Sequence, residues 1–173
     1  MRSPTWQPEL IGPSLRLRPL RADDFPALHA AASDPGIWAG HPDRERYTRE
    51  GFQKFFDSGL ECGRTLVVHD RKTGAVIGSS RYMDYDPQKS SVEIGFSFLT
   101  RAYWGGQHNR EMKTLMLDYA FQYVKTCYFV VHVTNVRSQK AMLKLGGVET
   151  QDRTFIPVGR DLTDRVVYVL QAS

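Results

Sequence analysis

The chain has 173 residues, enough for one ordinary domain with its own core, and its 41% hydrophobic and 24% charged residues exclude a disordered chain. The net charge of +4 is mild and suits a polyanionic small ligand; the cations are dispersed, with no basic stretch interleaved with aromatics, so no nucleic-acid partner is expected. Two cysteines without CxxC spacing and five histidines without ligand spacing predict neither a disulfide framework nor a metal site, and without a signal-like start or an apolar run near ~20 residues the expectation is a cytoplasmic protein with no membrane partner.

No repeat or linker divides the sequence, so residues 1–173 read as a single domain. Leu15 to Leu20 alternates apolar and polar as a half-buried strand does. Asp23 or Asp24 is placed to cap a helix through Ala32, which Asp34-Pro35-Gly36 breaks. Thr48 to Ser58 carries Phe52, Phe55 and Phe56 at helical spacing, with Thr48 as the N-cap. Residues 64–70 and 75–83 read as an antiparallel hairpin around a turn ending in Gly74. Ser90 to Leu99 predicts a strand with Val92, Ile94, Phe96 and Phe98 on one face. A helix follows over Asn109 to Val124, its buried stripe marked by Met112, Leu115, Met116, Tyr119, Ala120 and Tyr123. Then come an apolar strand, Tyr128 to Thr134, a helix over Val136 to Leu145 stopped by Gly146-Gly147, and strands over Val148 to Phe155 and Arg165 to Leu170. One strand–helix–strand crossover among hairpin-like pairs predicts an α/β domain: a mixed sheet with helices on both faces.

The chemistry concentrates where the strand ending at Leu99 passes through the loop Thr100 to His108 into the next helix. Such a turn exposes unpaired N–H groups beside a positive dipole end and suits a diphosphate. Gly105 and Gly106 allow close approach of backbone to phosphate oxygens, and Arg101 and Arg110 flank the turn. An ordinary strand-to-helix connection has the same outline.

Three runs sharpen this. Glu93-Ile94-Gly95-Phe96-Ser97-Phe98-Leu99, then Tyr103-Trp104-Gly105-Gly106 with Asn109-Arg110-Glu111-Met112, and later Val131 to Gly146 with Asn135, Ser138 and Ala141-Met142-Leu143-Lys144 resemble the acetyl-CoA-binding core of Gcn5-related N-acetyltransferases (GNAT). The likeness spans about residues 10–170 and is greatest to the branch that includes the ribosomal-protein N-terminal alanine acetyltransferases. It implies the acyl-CoA N-acyltransferase fold, a sheet split into a V between strands 90–99 and 128–134. It implies acetyl-CoA as co-substrate, its arm pairing with backbone near Phe98, Leu99 and Thr100 and its diphosphate on Gly105, Gly106, Gln107, His108, Asn109 and Arg110. Asn135 would hydrogen-bond the arm and Lys140 would reach a phosphate. Transfer would be direct, to a primary amine of a small molecule or a peptide, with Glu93 as base and Ser138 as acid; a homodimer is compatible with this reading.

Two departures stand out. The family's Gln/Arg-x-x-Gly-x-Gly/Ala loop falls on Trp104 to Asn109, and its fourth position, a glycine in the family, is Gln107; a positive φ there would strain the turn by ~1 kcal/mol or more. The helix position where many relatives carry a tyrosine is Met142. The rival reading is an impaired relative that binds CoA as a regulator.

Overall fold

The structure, a computed structural model, describes residues 3–173. In chain order run β1 (Leu10–Ile11), β2 (Leu15–Pro19), α1 (Phe25–Ala32), α2 (Pro35–Trp38), α3 (Arg49–Cys62), β3 (Thr65–Asp70), β4 (Val76–Asp86), β5 (Ser91–Leu99), α4 (His108–Ala120), β6 (Thr126–His132), α5 (Val136–Lys144), β7 (Val148–Glu149) and β8 (Arg165–Gln171). The eight strands form one sheet in the order β1-β2-β3-β4-β5-β6-β8-β7. Only β5 and β6, joined by the crossover through α4, run parallel; the hairpin and meander pairs are antiparallel.

Strand alternation sorts the side chains into two layers. Leu15, Leu17, Leu66, Val68, Val92 and Ile94 face α4 and pack on Met112 and Met116. Val67 and Phe98 face the opposite layer, with Phe52, Phe55 and Phe56 of α3 and Leu28 of α1. Burying each such side chain contributes about 1.5–3 kcal/mol. The second layer is completed over β6 and β8 by the segment 150–164, whose Phe155 and Ile156 pack on Tyr128 and Val167. This is why the strand expected to Phe155 stops at Glu149: past it the chain covers the sheet instead of extending it.

Several local devices fix the frame. Thr48 Oγ1 accepts from Gly51 N–H and caps α3, as its position predicts. Asp24 occupies the N-cap position of α1 without a side-chain cap bond to that helix: Arg18 holds both its oxygens, at 2.7 and 2.9 Å, in a buried ion pair between β2 and the start of α1. The α4 N-terminus is tied to β2 by Glu111, which accepts the backbone N–H groups of Ser14 and Leu15 at 2.8 and 3.0 Å and the Ser14 hydroxyl.

The site depends on an irregularity in β5. Ser79 of β4 opposes Phe98, yet Arg81 opposes Gly95, so β5 carries an extra residue between them. Phe96 sits there with φ of 51°, the left-handed region a phenylalanine seldom occupies. The bulge reverses the alternation: Val92 and Ile94 face α4, Phe98 faces α3, and Leu99 faces α4 again. The single face expected for Val92, Ile94, Phe96 and Phe98 is thereby corrected. Phe96 is 39% exposed and lies against Phe55 on the α3 side.

β5 and β6 pair at Ser91–Thr126, Val92–Cys127 and Glu93–Tyr128. Among the described residues they pair at no later position, so Ile94–Leu99 and Phe129–His132 diverge. The sheet is split into the V that the resemblance implies.

Candidate active site

The V opens into a cleft of about 1470 Å³, which passes through the sheet and is lined from both layers. Its α4–α5 side presents Ser97, Leu99, Gly105, Gly106, Gln107, Asn109, Arg110, Lys113, Phe129, Asn135, Ser138 and Lys140. Its other side presents Trp38, His41, Arg46, Glu93, Phe96, Arg160 and Arg165.

The wall toward α4 suits an anion. Gln107 occupies the N-cap position of α4 with no side-chain cap, and its carbonyl accepts from Glu111 N–H at 2.8 Å. The preceding N–H groups, from Gln107 to Arg110, have no partner inside the helix and lie at its positive end. Gly105 carries the positive φ of the loop, 72°, whereas Gln107 has φ of −88°. The strain a glycine-requiring fourth position would cause is therefore absent. Arg110, Lys140 and Lys144 add exposed cations at the rim, and the Arg137 guanidinium stacks 3.5 Å from the Trp104 ring centroid. Trp104 is itself fixed by donating its indole N–H to the Leu99 carbonyl at 2.8 Å.

Of the residues expected to hold the cofactor, Thr100 and His108 fall outside the cleft lining. Thr100 donates its N–H to Ile77 and its hydroxyl to the Ala31 and Ile77 carbonyls, because β5 ends by turning back toward β4. The His108 ring packs edge-on against Tyr103, 4.9 Å away. Phe98, Leu99, Gly105, Gly106, Gln107, Asn109, Arg110, Asn135 and Lys140 all line the cleft, and so do Glu93 and Ser138. The Asn135 Oδ1 accepts from Ser138 N–H at 3.3 Å, which caps α5.

On the opposite side Glu93, 2% exposed, is gripped through both oxygens by Arg160 at 2.6 and 3.1 Å, and Arg160 also donates to Asp84 at 2.8 Å. Burial raises the Glu93 pKa and the Arg160 guanidinium offsets part of that rise. His41 is pulled down to about 4, by burial first and then by the cations of Arg46 and Arg165, so its imidazole is neutral at neutral pH. Arg46 lies over the rings of Trp38, Phe55 and Phe96.

Composition and motif reasoning passed over Lys113, Arg46 and Arg160. Lys113 is 4% exposed, donates to the Ser97 hydroxyl and faces the Phe129 ring. The helical period could have found it, since 113, 116, 117 and 120 form one stripe with buried Met116, Leu117 and Ala120. Arg160 carries no local signal: it comes from a loop and reaches Glu93 across 67 residues of sequence.

Comparison with known proteins agrees with this architecture. The family model described as an acetyltransferase (GNAT) domain matches residues 14–148. The chain belongs to the GNAT family and is an acetyl-CoA-dependent N-acetyltransferase. Among solved structures, a Gcn5-related N-acetyltransferase from Brucella melitensis superposes with a TM-score of 0.75 at 22% identity, over 95% of this chain and 79% of that one. A GNAT-family acetyltransferase from Bacillus anthracis gives 0.74 at 19%, over 94% and 98%. Spermidine N-acetyltransferase from Vibrio cholerae, solved with CoA and spermine, gives 0.66 at 20%, over 92% and 96%. These likenesses show the shared fold. No curated protein matches the sequence. Among the described residues no cluster of three or more His, Cys, Asp or Glu is placed to hold a metal ion, and no helix is long and apolar enough to cross a membrane.

Proposed function

We propose that acetyl-CoA is held on the α4–α5 side of the cleft and that a primary amine meets its thioester from the α3 side, by direct attack. The observation that carries this is the split of β5 from β6, open to both layers, with an uncapped helix start on one side and a buried carboxylate on the other. The co-substrate supplies an acetyl thioester. The residues fitted to hold it are Gly105, Gly106, Gln107, Asn109 and Arg110 through backbone N–H groups, Leu99 and Phe98 along the freed edge of β5, and Asn135 and Lys140 from the α5 wall.

Glu93 is the base: it takes the ammonium proton of the acceptor, directly or through water, and Arg160 keeps it oriented. Ser138, in the first turn of α5, is the hydroxyl offered to the departing sulfur. Neither cysteine is needed, since no covalent enzyme intermediate enters. The acceptor is a small-molecule or peptide amine; a structural neighbour, the spermidine N-acetyltransferase from Vibrio cholerae, was solved in complex with CoA and spermine, which is consistent with a small-amine acceptor. The regulatory reading, a CoA binder with a damaged loop, loses the support of backbone strain because Gln107 sits in unstrained helical backbone.

Isothermal titration with acetyl-CoA, followed by a thiol-release assay over amino acids, peptides and polyamines, tests this reading. Binding with thiol release on at least one amine is expected. Binding without release on any amine would return the chain to the regulatory reading, and no binding would remove both.

A further inference from the structure

Lys113 is unlike the other lysines of the chain, all of which are exposed. At 4% exposure it has no carboxylate within ion-pair distance among the described residues. Its Nζ donates to Ser97 Oγ, whose hydroxyl shares a 2.7 Å hydrogen bond with Ser80, and lies 5.4 Å from the Phe129 ring centroid. An ammonium has three N–H donors, so one hydroxyl and one ring face leave its charge poorly compensated. Burial alone lowers the amine to about 7. Other titratable groups nearby are turned away or lie at the rim: Tyr82 of β4 donates to the Met116 carbonyl, Glu93 of β5 is on the opposite face with Arg160, and the buried Cys127 thiol of β6 is pushed up to about 12. Arg110 of α4 and Arg137, Lys140 and Lys144 of α5 are exposed.

A buried cation without a carboxylate destabilises a fold, so packing gives no reason for a lysine between Met112 and Met116. Position gives one. Phe129 directly follows the last β5–β6 pair, Glu93–Tyr128, Ser97 lies past the bulge on β5, and both line the cleft. There the bulge at Phe96 also frees β5 backbone from regular pairing with β4. A cation fixed in a low-dielectric throat stabilises negative charge far more than one in water.

We propose that Lys113 is a further catalytic residue of the acetyl transfer: its ammonium, aimed into the throat by Ser97, stabilises the negative charge that develops on the carbonyl oxygen as the amine adds. The C–N bond forms while the carbonyl π pair moves onto oxygen. Lys113 holds that charge through N–H donation and keeps its proton. The C–S bond breaks as the carbonyl re-forms. This role rests on the functional reading above, and its test separates the two.

Lys113→Met removes the charge at similar volume. The expected result is a kcat lowered roughly 10²–10³-fold, an acetyl-CoA Kd from titration changed less than about threefold, and a raised Tm. Lys113→Gln, which keeps a donor without the charge, is expected to fall between the two and serves if the methionine variant fails to fold. Wild-type kcat/KM should decline on the alkaline side with a limb near the about 7 of the free amine, a limb the methionine variant lacks. Independently of turnover, carbon-13 NMR of labelled lysines should show one residue titrating near that value, lost in Lys113→Met. A methionine variant with wild-type kcat and an unchanged pH profile would overturn this proposal alone. A wild type that binds acetyl-CoA yet acetylates no amine would overturn the functional reading with it.

Discussion

The catalytic assignment stands on two side chains that burial alone disfavours in their charged forms. Glu93 and Lys113 project from opposite faces around the same opening, and each is held by a specific partner, Arg160 for the acid and Ser97 for the amine. Because burial raises the Glu93 pKa, a base at this position gains its charge as pH rises through a value above the ordinary carboxylate range. Activity should therefore show an acidic limb displaced upward from that range. Glu93→Gln should remove the limb and lower kcat by about 10²–10³-fold, read from pH profiles of wild type and variant on one amine. A glutamine variant that keeps both limb and rate would leave Glu93 as an ion-pair partner of Arg160 only. Glu111 is the contrasting carboxylate. Burial opposes its charge, but the Ser14 hydroxyl and the Ser14 and Leu15 N–H groups outweigh burial and lower its pKa. A depressed carboxylate contributes stability above its unfolded pKa and loses it as pH falls through the folded value. Glu111→Gln should then cost about 1–2 kcal/mol at neutral pH, with the gap to wild type narrowing as pH falls through the depressed folded value, measured by denaturant melts across an acid series.

At the scale of elements, the turn into α4 and the bulge in β5 make the site. The turn is legible in the sequence: a glycine pair before a helix start suits an anion by elementary backbone chemistry, although an ordinary strand-to-helix connection has the same outline. What residue types alone did not disclose was which position needs left-handed backbone. Gly105 does, at φ of 72°, and nothing lies within 4 Å of where its Cβ would be. Gly105→Ala should therefore act through backbone strain alone, costing ~1 kcal/mol and weakening acetyl-CoA binding several-fold. Gln107→Gly should change that affinity by less than about fivefold, because Gln107 has helical φ. Titrations of both variants check this, and a glycine at 107 that tightens binding strongly would show that the side chain obstructs the phosphates. The bulge at Phe96 was hidden because alternation in Val92 to Phe98 is unbroken in sequence and no glycine marks the left-handed residue. The ring of Phe55 and the guanidinium of Arg81, the latter 4.0 Å from the Phe96 centroid, pack on that residue from outside β5. Tertiary contacts of this kind leave no local trace.

Over the whole molecule, the order of strands and helices follows from periodicity and breakers, and both core layers follow from alternation in β2 and β3. The opening itself does not. A parallel pair that zips for three positions and then separates looks, in sequence, like one that stays closed; only the resemblance to a known family implied the V. Where the strands part, β5 carries the bulge at Phe96, and the hydrogen-bonded Lys113 and Ser97 lie on its α4 face. Arg160 supports the same geometry from outside, tying the segment 150–164 to Glu93 and Asp84 at the closed end of the V.

The most direct measurement is a crystal structure of the protein grown with CoA. The diphosphate should lie on the N–H groups from Gln107 to Arg110, with the pantetheine arm between β5 and β6 and the sulfur at the throat between Ser97 and Phe129. Strands β5 and β6 paired to their ends, with CoA absent from the gap or seated elsewhere, would contradict the account.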